Sequence, residues 1–115
     1  MVFIEKVFNL LAGLASRTGE KKIAWEESDF PGQFYTSIDK FRIIITTDKE
    51  KVSFRINRPN RDEPVFEFTN KELYCVSSSE RQRNVLGELV KAIRENLGVI
   101  KENAADAIVK ALEEM

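Results

Sequence analysis

The most constraining stretch of this 115-residue chain is residues 41–56: Phe-Arg-Ile-Ile-Ile-Thr-Thr, then Asp48-Lys49-Glu50-Lys51, then Val-Ser-Phe-Arg-Ile. Residues two apart on a strand share a face. Phe41, Ile43 and Ile45 therefore gather on one side of a first strand, and Val52, Phe54 and Ile56 on one side of a second. Arg42, Thr46, Ser53 and Arg55 point the other way. A period of two, broken by four charged residues, predicts a β-hairpin with one greasy face and one wet face. Such a sheet needs an apolar layer over its greasy side, and both ends of the chain carry one.

At the N-terminal end, residues 2–17 set Ile4, Val7, Phe8, Leu11, Leu14 and Ala15 at intervals of three and four, the stripe of an amphipathic helix, and Gly19 follows as its stop. Gly13 within the stripe predicts close packing of helix on sheet. Residues 21–27 alternate, with Ile23 and Trp25 on one face, and read as a strand. Asp29-Phe30-Pro31-Gly32 is a turn, because proline presets its first dihedral angle and glycine tolerates a positive one. Residues 33–38 form the next strand. The apolar parity slips from even at Ile38 to odd at Phe41, which puts a tight turn or a bulge at Asp39-Lys40.

Beyond the hairpin, Arg58-Pro59-Asn60-Arg61-Asp62-Glu63-Pro64 is a loop and residues 65–69 a last strand, with Phe66 and Phe68 on one side. Leu73-Tyr74-Cys75-Val76 fits either an extension of the sheet or a segment tucked under the next helix. Ser79 followed by Gln82 has the spacing of a capping box. The helix it opens runs to about Asn96, carries Val85, Leu86, Leu89, Val90, Ile93 and Leu97, and ends at Gly98. A further helix over residues 101–114 bears Ala104, Ala107, Ile108, Ala111, Leu112 and Met115. The chain thus reads as one α+β domain over residues 1–115. An N-terminal helix and two C-terminal helices lie mainly on one face of an antiparallel meander of about five strands, with Trp25, Phe41, Ile43, Ile45, Val52, Phe54, Ile56, Phe66 and Phe68 in the core.

Composition narrows the chemistry. The chain has no histidine, which removes the usual residue of zinc sites, catalytic triads and general bases. No phosphate loop, nucleophile elbow or metal-spaced cysteine pair is present. Cys75 is the single cysteine, so no intrachain disulfide forms, and it reads as a buried structural thiol. The carboxylate pairs Glu26-Glu27, Asp62-Glu63 and Glu113-Glu114 read as solvated charge. Glu5 and Lys6 interrupt the N-terminal apolar run, and nothing approaches the roughly 18 apolar residues of a membrane span. The expectation is a cytoplasmic protein without cofactor, metal or membrane partner.

The run Gly19-Glu20-Lys21-Lys22-Ile23-Ala24-Trp25-Glu26, after an apolar helix and before Phe34-Tyr35 and Phe41-Arg42-Ile43-Ile44-Ile45, resembles small bacterial proteins carried on mobile gene cassettes such as those of integrons. That resemblance implies a bacterial, cytoplasmic, stand-alone α+β domain. It implies no catalytic residues.

Three functions remain, in descending order. The first is a non-enzymatic protein-protein interaction module, homodimeric or bound to another protein, that uses Tyr35, Arg42, Ile44 and Arg55 on the open sheet face, a mixture typical of interface cores. The Ala-rich last helix is a second surface if Ile108 and Leu112 do not dock in the monomer. The alternative is a nucleic-acid-binding accessory protein. Net charge is -1, yet residues 40–61 hold seven basic side chains against two acidic ones. Arg42, Lys49, Lys51, Arg55, Arg58 and Arg61 form the candidate patch. A small enzyme comes third.

Overall fold

The alternating stretch becomes the centre of the sheet. In the computed structural model, which describes residues 3–61 and 63–115, the elements are α1 (Phe3–Gly19), β1 (Glu26–Glu27), β2 (Gln33–Ile38), β3 (Phe41–Asp48), β4 (Lys51–Asn57), β5 (Pro64–Thr69), α2 (Asn70–Val76) and α3 (Glu80–Glu113). Val2 of the expected first helix and Asp62 of the expected loop and carboxylate pair lie outside the described residues. The strands follow one another in the order β1-β2-β3-β4-β5, every neighbour antiparallel. This is the α+β meander that the alternation predicts.

Register and turn chemistry agree. Ile43 faces Ile56, Ile45 faces Phe54, and Phe54 in turn faces Phe68, so the apolar residues of three strands share one side. The rings of Phe54, Phe66 and Phe68 stack with centroids 5.0 to 6.5 Å apart. Asp39 and Lys40 both take positive φ, 49° and 71°, as a two-residue primed turn requires. Gly32 sits at φ 80° against β3, where a Cβ would fall 2.7 Å from Thr47 Oγ1 and 2.8 Å from Thr47 O. Only glycine fits there.

The apolar stripes of α1 and α3 roof that side. α1 contributes Val7, Phe8, Leu11 and Leu14, α3 contributes Val85, Leu86, Leu89, Val90 and Ile93, and α2 adds Leu73. All meet Phe34, Ile43, Ile45, Phe54 and Ile56 in a single core. One buried polar contact ties the roof together: Thr18, 1% exposed, accepts a hydrogen bond from Trp25 Nε1 at 2.8 Å through its hydroxyl. Its carbonyl accepts another from Asn96 Nδ2 of α3 at 3.3 Å.

Several expectations are corrected. The strand over residues 21–27 shrinks to Glu26–Glu27, because Lys21 turns at φ 62° and Trp25 is buried through Thr18 rather than by strand pairing. The Thr36 hydroxyl reaches back to the Ala24 carbonyl at 2.8 Å where a ladder bond would otherwise run. Leu73-Tyr74-Cys75-Val76 belongs to α2, nucleated by a capping box in which Thr69 Oγ1 accepts from the Glu72 amide and the Glu72 carboxylate accepts from the Thr69 amide. That short helix buries only Leu73, so Cys75 is exposed rather than structural. Gly13 is exposed, with no neighbour within 4 Å of where its Cβ would lie. Phe41 has the register of a core residue but stands at the margin of the roof, 40% exposed.

Gly98 does not end a helix. α3 runs unbroken for 34 residues from its Ser79 cap, whose hydroxyl accepts from the Gln82 amide. A mid-helix glycine costs about 1 kcal/mol, too little to break a helix without a left-handed stop or a proline after it.

Thr18→Val leaves the buried Trp25 N–H without an acceptor and is expected to destabilise the fold by about 1–3 kcal/mol. The urea midpoint measures this, and an unmoved midpoint refutes it. Gly98→Ala, with open space at the Cβ position, is expected to raise far-UV helical ellipticity and leave Trp25 fluorescence unchanged.

Candidate binding surfaces

The register lines the uncovered face of the sheet with a cross-strand row, Glu26, Tyr35, Ile44, Arg55 and Glu67, one residue from each strand. Arg42 lies in the adjoining row, between Ser37 and Asn57. The four residues Tyr35, Arg42, Ile44 and Arg55 are therefore brought together. The Arg42 guanidinium lies over the Tyr35 ring, 4.8 Å from its centroid. Arg55 Nε donates to Asn57 Oδ1 at 3.0 Å.

Tyr35 is oriented from the other side by Glu26, whose carboxylate accepts the phenol proton at 2.5 Å. That hydrogen bond, aided by the carboxylate's charge, raises the Tyr35 pKa above its ordinary 10.0, against a weaker opposing pull from Arg42. Glu27, adjacent on β1, points the other way toward Lys101 Nζ at 3.7 Å.

One end of this face deepens into a cleft of about 710 Å³. The primed turn delivers Lys40, β3 delivers Arg42, and the loop after β4 delivers Arg58 and Arg61. That loop leaves the sheet at a register shift between Ile56 and Asn57 and doubles back through Asn60 at φ 59°. Tyr35, Ser37, Asn57, Pro59 and Asn60 complete the lining. Among the described residues that line it there is no aspartate or glutamate.

The basic patch of the sequence is thereby divided. Arg42, Arg58 and Arg61 share the cleft, and Arg55 stands beside it on β4 next to Asn57. Lys49 lies in the turn at the opposite end of the hairpin and Lys51 follows it at the start of β4. Asp48 at that end lies six residues along the strand from Arg42, roughly 20 Å. Lys40 is a cleft residue that sequence reasoning missed as part of the patch. Its signal was the turn at Asp39-Lys40, which aims it off the end of the sheet.

The second surface is the far half of α3. Residues 99–115 are all exposed, and the molecule is 59 Å along its longest axis. Ile108 and Leu112 do not dock: they are 61% and 63% exposed, and Val99, Ile100, Val109 and Met115 are exposed as well. The side of the helix that carries core Ile93 and half-buried Leu97 continues as Ile100, Ala104, Ile108, Ala111 and Met115, with Leu112 on its flank.

Among the described residues, no cluster of three or more cysteine, aspartate or glutamate side chains could hold a metal ion. No helix among them is long and apolar enough to cross a membrane. The chain matches no protein-family model, no curated protein and no solved structure.

Because the folded Tyr35 pKa is raised, the contribution of its bond to Glu26 is fully present below pH 10.0 and is lost as pH climbs through the folded value. Glu26→Gln is expected to bring the Tyr35 ionisation midpoint back toward 10.0, followed by the ring-carbon NMR shift against pH. An unchanged midpoint removes Glu26 as the cause.

Proposed function

We propose that this protein is a non-enzymatic protein-protein interaction module that acts as a cytoplasmic homodimer and docks through the far half of α3. The observation that carries this reading is an apolar stripe continued past the body on a helix whose last residues have no cover. A helical segment of that length is marginal in water without a packed face.

The spacing of the stripe favours a second copy of the same chain as its cover. In an antiparallel pair with a two-fold axis at residue 106, Leu97 comes opposite Met115, Ile100 opposite Leu112, and Ala104 opposite Ile108. In each of these three pairs an apolar residue meets an apolar residue, and a small one meets a large one at the centre, while Ala111 falls opposite Lys101. This is the self-complementarity that an isologous interface requires. The two bodies then sit at opposite ends of the helix pair and do not compete for space. The open sheet face is a weaker docking surface, since its apolar contributions are exposed Val65 and half-buried Ile44, and Tyr35, Arg42 and Arg55 already engage Glu26, one another or Asn57. The resemblance to cassette-borne bacterial proteins agrees with a small stand-alone module.

Light scattering on a size-exclusion column tests the proposal. The wild-type chain is expected at twice its own mass, and the double variant Ile108→Glu, Leu112→Glu as a monomer with an unchanged core. Two buried aliphatic side chains are worth about 1.5–3 kcal/mol each, so association weakens by more than about a hundredfold. A monomeric wild type, or a dimer that survives both charges, overturns the reading.

A further inference from the structure

We infer that the cleft at the β2–β3 turn binds single-stranded nucleic acid, a site separate from the helix surface and independent of whether that surface dimerises. Charge is segregated toward this cleft. The chain is slightly acidic overall, yet Lys40, Arg42, Arg58 and Arg61 converge on one cleft whose described lining holds no carboxylate. None of the four has an ion-pair partner among the described residues, whose bridges join Arg17 and Lys22 to Glu20 and Lys101 to Glu27. Four like charges gathered this way repel one another and attract a polyanion.

Shape and stacking favour a single strand as the polyanion. All four cations are exposed, so the cleft is a trough along which a strand can pass rather than a pocket that encloses a small anion. Arg42 is held over the Tyr35 ring, 4.8 Å from its centroid, and Glu26 fixes that ring from its hydroxyl end. A guanidinium pinned in this way offers a plane on which an unpaired base can stack. Neither inorganic phosphate nor an acidic peptide makes use of such a platform. A duplex buries its base faces, and the cleft has no protruding helix or ribbon to enter a groove.

Fluorescence anisotropy of a labelled oligouridylate with the full chain tests the inference. Affinity is expected to fall with salt at a log-log slope of about -3, near 0.7 for each of four phosphates neutralised. Arg42→Ala and Arg61→Glu are each expected to weaken binding by about tenfold or more. Lys49→Glu, at the far end of the hairpin, is expected to leave it nearly unchanged, and so is the double variant Ile108→Glu, Leu112→Glu. Absence of binding at low salt overturns the inference. So does a Lys49→Glu loss equal to that of Arg61→Glu, which would mean diffuse electrostatics rather than a site. Displacement of the oligonucleotide by pyrophosphate or by oligoglutamate at equal charge concentration would assign the cleft to small anions or to acidic protein, and would overturn it too.

Discussion

The structure depends on a mismatch of lengths between its roof and its floor. The longest strand has eight residues, roughly 27 Å at strand rise, whereas α3 has 34 residues, roughly 51 Å at helical rise. A sheet of that reach can cover only about half of such a helix. Val85, Leu86, Leu89, Val90 and Ile93 are buried in the core they share with α1 and the strands. The stripe then goes on at the same angular position with nothing under it. One helix is therefore core-forming in its first half and surface-forming in its second, without any change in its own pattern.

The hairpin was legible in the sequence because a period of two over residues 41–56 admits one geometry, and the parity slip before Phe41 located the primed turn. The outer row follows from the same alternation, which groups Tyr35, Arg42, Ile44 and Arg55 from the sequence alone. Other features were hidden for physical reasons. Gly98 resembles a stop, but glycine only lowers helix propensity, and a stop needs a left-handed residue that satisfies the last carbonyls. Four apolar residues at 73–76 are too few to separate a period of two from one of 3.6, although the Thr69-to-Glu72 spacing held the capping signal. Alternation places Trp25 in a strand, while its buried indole N–H is satisfied by a hydroxyl seven residues earlier. The cleft joins a turn, a strand and a loop distant in sequence, so a charge count over residues 40–61 could find its sign but not which cations share it.

The two surfaces differ in the sign of their charge. The cleft end collects Lys40, Arg42, Arg58 and Arg61. The far half of α3 carries Glu102, Asp106, Glu113 and Glu114 against Lys101 and Lys110. A net charge near zero thus hides a segregation of charge between surfaces, and a polyanion approaching the molecule is oriented by the whole field before it makes contact.

Asn70, the first residue of α2, joins the sheet to the helices in a way the strand order does not reveal. Its side-chain oxygen accepts from the Val52 amide at 3.1 Å, and its side-chain nitrogen donates to the Glu50 carbonyl at 2.9 Å. It thereby occupies the end of β4 just where pairing with β5 stops at Ser53 and Thr69. That rung is closed by an amide belonging to a helix, so the tip of the hairpin cannot fray unless α2 moves as well. Solvent exchange at the Val52 proton then reports on helix docking, and the two segments open on one clock although neither contributes a strand to the other.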